Sequence, residues 1–244
     1  MRGEGGGVRE TATHIPRTAR ALRVDVASGV VGEVAGDAVW RPALRRGEVL
    51  VWVLPLDGDD EAADLALLDD AERMRAARFR DALHRRRWTA ARAGLRRVLG
   101  ACTGAMPAAV AFAHDRGGRP RLATPGAPHF SFTHSGALAL CAVALDGEVG
   151  VDAELRAPGI EVEPLARLLG AAEPGGAAPS RDALFDAWAR LEARAKCLGL
   201  SLDDAIAATA DPARRPPGWE QVTVVPLAVA DEYAAAVAVW YDSA

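Results

Sequence analysis

A strand that ends in two acids, followed by a helix with two sharp ends, constrains this chain more than anything else in it. Val149-Gly150-Val151-Asp152-Ala153-Glu154 is β-branched and apolar until the acids arrive, and Arg181 to Leu198 is patterned as one helix. Ser180 is placed to cap that helix and Gly199 to stop it. Strand alternation has period two, so Asp152 and Glu154 share a face, roughly 7 Å apart. On the helix, Trp188, Glu192 and Lys196 recur at i, i+4 and i+8 and stack on one side. If the helix packs across the end of the strand, three acids and a lysine meet. The two hard oxygen groups of Asp152 and Glu154 suit Mg²⁺, which takes one or two protein carboxylates and completes its shell with water and phosphate. Each part has a plainer reading. An acid pair at a strand end is more often a solvated edge. A Glu–Lys pair at i, i+4 is usually a surface ion pair worth a few tenths of a kcal/mol. Trp188 falls with Leu184, Phe185, Leu191, Ala195 and Leu198 on an apolar stripe, where its default role is core.

Upstream, Glu48–Leu56 reads as a strand ending at Asp57-Gly58. Asp60 to about Phe79 reads as one helix with Leu65, Leu68, Ala71 and Met74 on its stripe, and about Asp81 to Leu99 as a second, with Gly100 as its stop. Ten arginines and one acid, Asp81, lie between Arg73 and Arg97. They make either a solvated helical face or a phosphate-binding surface, since guanidinium forks match phosphate oxygens. Val110–Ala113 is a short strand, and Asp115 to Pro120 a turn ending on Arg119. His129 to Ser135 alternates and stops at Gly136, delivering His134 to a loop, and Leu138–Leu145 is a continuous apolar strand. Pro158-Gly159 turns the chain, Val162–Leu169 is a short helix, Pro174–Ser180 a loop, and Val222–Val225 and Tyr233–Trp240 are closing strands.

Met1 to about Arg46 is Gly-, Ala- and Arg-rich with poor periodicity and reads as a flexible extension, residues 1–46, although Val24–Val34 could pair around Ser28-Gly29. Three cysteines (Cys102, Cys141, Cys197) form no metal or redox pair and point to a reducing cytoplasm. Five histidines lack zinc-protease spacing, and neither a signal peptide nor a membrane span is expected. Strand, two helices and strands recur in the order expected of a duplicated unit, with Arg80-Asp81-Ala82-Leu83 and Arg181-Asp182-Ala183-Leu184 each near a helix start.

The pattern Gly150-Val151-Asp152-x-Glu154 followed by Trp188-x-x-x-Glu192-Ala193-x-x-x-Lys196 resembles the 4′-phosphopantetheinyl transferases. The resemblance is to their longer, pseudo-dimeric type, which serves carrier domains of polyketide and nonribosomal peptide synthases. Gly118-Arg119-Pro120 and Thr133-His134-Ser135 match two further motifs of the family, the second with threonine for its first serine. The resemblance implies an α+β fold of two similar α/β subdomains, residues 47–146 and 147–244, in a pseudo-twofold arrangement with the cofactor site between them. It implies Asp152, Glu154 and Glu192 as Mg²⁺ ligands and Glu192 and Lys196 as catalytic groups. Arg75, Arg86, Arg119, His134 and Lys196 would bind coenzyme A, with Glu173 a further acid near the metal. The partner would be an acyl or peptidyl carrier protein, and the enzyme a monomer using neither nucleic acid nor membrane. Members often carry lysine where this chain has Leu191. Two other readings stay open on the residues alone: a Mg²⁺-dependent nucleotide pyrophosphatase, and a non-catalytic homologue binding phosphate or nucleic acid through the arginine-rich helices.

Overall fold

The computed structural model describes residues 19–34, 43–58, 60–115, 118–159, 163–169 and 179–241. Its strands, in chain order, are β1 (Arg20–Asp25), β2 (Val31–Val34), β3 (Glu48–Pro55), β4 (Phe112–His114), β5 (Pro120–Leu122), β6 (His129–Ser135), β7 (Leu138–Ala144), β8 (Glu148–Leu155), β9 (Thr223–Pro226) and β10 (Tyr233–Trp240). The helices are α1 (Glu61–Leu67), α2 (Asp70–Ala76), α3 (Ala82–Thr103), α4 (Glu163–Leu168), α5 (Arg181–Leu198) and α6 (Leu202–Ala210). Five strands form one sheet in the order β2-β1-β3-β7-β6, three form another in the order β8-β10-β9, and β4 pairs with β5. All pairings are antiparallel.

Alternation along the strands sorts side chains into two cores. On β3, Val49, Val51 and Val53 face the other sheet, while Leu50, Trp52 and Leu54 face α3. Val149, Val151 and Ala153 of β8 and Ala235, Val237 and Val239 of β10 join the first set, so the two sheets share one apolar interior. Ala91, Leu95, Val98 and Leu99 of α3 cover the outer face of the five-stranded sheet. Ala189 and Ala193 of α5 pack on Ala234, Ala236 and Ala238 of β10, covering the three-stranded one. The result is the expected α+β class, layered helix, sheet, sheet, helix.

Several local expectations change. The strand pair around Ser28-Gly29 forms, but not as an appendage. β1 sits between β2 and β3, and Leu22 and Val24 are buried in the inter-sheet core. Residues 1–18 lie outside the described residues. The helix expected from Asp60 to Phe79 is two. Leu68 takes an extended conformation, and Asp69 then caps α2 in a reciprocal capping box with Glu72. That break turns the stripe, so Met74 is 60% exposed while Glu72 and Ala76 are buried. Gly100 does not stop α3, which runs on to Gly104 in the left-handed conformation. A Cβ on Gly100 would meet the Ala105 carbonyl oxygen at 2.7 Å, so its role is close packing of the returning chain. Asp81 is the N-cap of α3, whereas Ser180 caps α5 and Asp182 lies inside its first turn. The two Arg-Asp-Ala-Leu fragments therefore occupy different helical positions. Helix α6 was not among the expected elements; Ser201, whose side chain accepts the Asp204 N–H, caps it.

Candidate active site

Gly150 sets how closely α5 can approach β8. A Cβ there would lie 2.0 Å from the Ala193 carbonyl oxygen and 2.4 Å from the Cys197 nitrogen. With alanines opposite on β10, the helix backbone settles directly on the sheet, and its next-turn side chains reach the end of β8. Asp152, Glu154 and Glu192 thereby offer carboxylate oxygens that all lie within 4.8 Å of one another. Lys196 joins them, with Nζ 2.5 Å from Asp152 Oδ1 and 3.5 Å from Glu192 Oε2. The four residues singled out on spacing do converge.

The electrostatics are those of crowded anions in a half-dry site. Burial, then the charges of Asp152 and Glu192, push the Glu154 carboxyl up to about 7. Burial, then Asp152, raise that of Glu192, with Lys196 and the Trp188 indole in partial opposition. Asp152 is 1% exposed. Its Oδ1 accepts from Thr133 Oγ1 at 3.0 Å and from Lys196, while Oδ2 is buried and without a hydrogen-bond partner among the described residues. A buried oxygen with no donor, beside two carboxylates that disfavour each other's ionisation, is an oxygen donor set suited to a hard divalent cation.

Next to this cluster lies a cleft of about 950 Å³, lined by Arg75, Trp88, Arg92, Phe112, Thr133 and His134 among others. Arg75 lies over the Trp88 ring at 5.5 Å, and Arg92 over Phe112 at 5.1 Å. Although His134 keeps an exposed edge, desolvation by its surroundings, then Lys196, Arg75 and Arg92, lower its pKa below the ordinary value and favour the neutral ring. Of the expected phosphate-binding residues, Arg75 and His134 line the cleft and Lys196 faces the acids. Arg86 is exposed and outside the lining. Arg119 donates to Glu148 at 3.0 Å, to the Cys197 carbonyl at 3.2 Å and to the Val149 carbonyl, which fastens the loop before β5 to β8 and α5. Glu173 lies outside the described residues.

Among the described residues, six of the ten arginines from Arg73 to Arg97 form ion pairs: Arg73, Arg85, Arg87, Arg92, Arg96 and Arg97. Arg96, 1% exposed, bonds Glu72 and Asp69 and so locks α2 onto α3. Trp188 is half-buried beside Glu192 rather than in the core. Leu191, where a lysine was the family expectation, is buried against Ala205, Ala208 and Trp219. Sequence reasoning missed the hydroxyl of Ser131 and read Thr133 and Ser135 only as parts of a cofactor motif. The signal available was their period-two spacing along β6.

No family model matches the chain. Curated proteins do match part of it. The HetI protein of Nostoc sp. is 40% identical over 129 residues, 51% of this chain and 54% of that protein. The similarity is to 4′-phosphopantetheinyl transferases. HetI carries that name, and slr0495 of Synechocystis sp., named provisionally for the same activity, is 28% identical over 110 residues, 44% of this chain and 45% of its own. The chain thus spans about half the length of the curated relatives it matches. Among the described residues no helix is long and apolar enough to cross a membrane.

Proposed function

We propose that this protein transfers the 4′-phosphopantetheine arm of coenzyme A to a serine of an acyl or peptidyl carrier protein, releasing 3′,5′-ADP. The observation that carries the reading is the convergence of Asp152, Glu154, Glu192 and Lys196 beside a cation-lined cleft. The partial similarity to HetI and slr0495 supports the same class. Asp152, Glu154 and Glu192 would hold Mg²⁺, which when bound would offset charge on the pyrophosphate. Glu192, whose proton affinity is raised by burial and by Asp152, takes the proton of the carrier serine. The serine oxygen attacks the β-phosphorus, and the bond from that phosphorus to 3′,5′-ADP breaks. Lys196 holds Asp152 and Glu192 at fixed separation and faces the leaving group. Arg75 binds a cofactor phosphate as a cation, and neutral His134 binds as a hydrogen-bond donor. Arg86 lies outside the lining; Arg119, which donates to Glu148, Cys197 and Val149, also lines a second pocket with Lys196 and contributes to cofactor binding from there.

In this reading the two halves are pseudo-twofold subdomains of the longer family type, and coenzyme A lies in the cleft of the first half, against the acids of the second. The enzyme is a cytoplasmic monomer serving polyketide or nonribosomal peptide synthases, without nucleic acid or membrane. Incubating the protein with an apo-carrier domain, coenzyme A and Mg²⁺, and weighing the carrier by mass spectrometry, tests it. Addition of the arm is expected. Cleaved cofactor with a bare carrier would instead identify a pyrophosphatase, the reading that metal and phosphate ligands alone also allow.

A further inference from the structure

The edge strands β6 and β8 of the two sheets lie side by side and run in the same direction, but side-chain hydroxyls join them where a ladder would. Ser131 Oγ accepts the Val151 N–H at 3.0 Å, and Ser135 Oγ accepts that of Leu155 at 3.1 Å. Between them Thr133 Oγ1 donates to Asp152 Oδ1 at 3.0 Å and lies 3.3 Å from Lys196 Nζ. Ser135 Oγ also donates to Glu154 Oε2 at 3.2 Å. The hydroxyl row on one face of β6 thus meets the two acids of β8 one for one. A buried carboxylate has two oxygens to satisfy. Thr133 and Lys196 together engage Oδ1 of Asp152 and leave Oδ2 buried and without a hydrogen-bond partner among the described residues, in a residue whose carboxylate belongs to the acid cluster.

We propose that Thr133 and Ser135 are positioning residues: their hydroxyls fix the carboxylates of Asp152 and Glu154 so that one chosen oxygen of each meets a divalent metal. The inference rests on the metal-dependent reading above but assigns the orientation to β6, not to the ligands themselves. Groups that hold a ligand from behind in this way typically cost about 10–100-fold in metal affinity when removed. Charge count at the site is unchanged by their loss, so the effect isolates geometry.

The test is calorimetric titration of the metal-free full chain with Mn²⁺ alone, without coenzyme A or carrier. Thr133→Val removes the hydroxyl and keeps the branched shape, and affinity is expected to fall about 10–100-fold. Thr133→Ser returns the hydroxyl and is expected to restore wild-type affinity. A hydroxyl with only a structural role would lower the thermal midpoint and leave the Mn²⁺ dissociation constant where it was; that result overturns the proposal, as does a serine variant that fails to rescue. Should Thr133→Val not fold by circular dichroism, Ser135→Ala carries the test at a half-buried position. There an affinity loss of about tenfold supports the proposal, and unchanged affinity overturns it. A wild-type protein that binds no Mn²⁺ at millimolar concentration sinks the metal-dependent reading itself, and this inference with it.

Discussion

Gly150→Ala should damage the site without touching any of its reacting groups. The added methyl would stand 2.0 Å from the Ala193 carbonyl oxygen and 2.4 Å from the Cys197 nitrogen, both helix backbone. Ordinary contact begins near 3.4 Å, so α5 and β8 must separate by about 1.4 Å. No flexible side chain is available to absorb that. Overpacking of this kind costs about 1–3 kcal/mol, and for a chain of this size about 2–4 °C in midpoint per kcal/mol. The functional loss should be larger. β8 carries Asp152 and Glu154, α5 carries Glu192 and Lys196, and the separation opens between the two sets. A displacement of about 1 Å at a reacting centre costs on the order of 10²-fold in rate. Turnover of carrier protein and the thermal midpoint should be measured together, with Gly58→Ala as control, since a Cβ at Gly58 meets nothing within 4 Å. A Gly150→Ala protein with near-wild-type midpoint and turnover would refute the claim that close helix–strand approach assembles the site.

Glu192→Gln keeps shape and removes the proton acceptor, so turnover should fall about 10²–10⁴-fold while calorimetry shows coenzyme A still binding; near-normal turnover would remove Glu192 from the role of base. Arg75→Ala should erase most of any preference for coenzyme A over dephospho-coenzyme A, about ten- to a hundred-fold for a charge-assisted contact; Arg86→Ala, outside the cleft lining, should leave it intact. Glu154 titrates near 7 in the folded protein, above the ordinary 4.5, so its contribution to stability is full below 4.5 and is lost as pH rises through 7. Glu154→Gln, which imitates the protonated form, should therefore raise the metal-free midpoint over wild type at pH 8 but not at pH 5; an equal change at both would show that Glu154 does not titrate in this window.

The cluster of three acids and a lysine was legible because it depends on two short periodicities, one in a strand and one in a helix. Asp152 with Glu154, and Glu192 with Lys196, are each fixed by local geometry, and packing had only to bring the pairs together. Ser180 as cap and Gly199 as stop were equally local and both hold. What failed was non-local. The arginine run looked like one surface, yet five members (Arg85, Arg87, Arg92, Arg96 and Arg97) answer acids such as Asp57, Glu61 and Asp64 that lie 20 to 33 residues earlier in the chain. Charge density shows that partners are needed and not which ones. Residues 20–34 looked like an arm because composition cannot reveal that β3 lacks a neighbour until β1 supplies it.

Helix α5 shows why even a well-read element can carry wrong assignments. A single apolar stripe was expected, but the helix faces three environments. Ala189 and Ala193 face β10, and their small size permits the approach that Gly150 requires. Leu191 and Ala195 face α6 and Trp219. Glu192 and Lys196 face the end of β8. With each residue turned about 100° from the last, a helix buried on two sides has no room for its largest aromatic in either interface. Trp188 accordingly lies at the boundary, where its indole meets Glu192. The same geometry accounts for Leu191. A lysine there would need to carry its charge past α6, and a buried ammonium without a partner is costly. In this chain α6 claims that position for packing, so the second cation of the family pattern has no place on this face, and Lys196 alone meets the acids from α5.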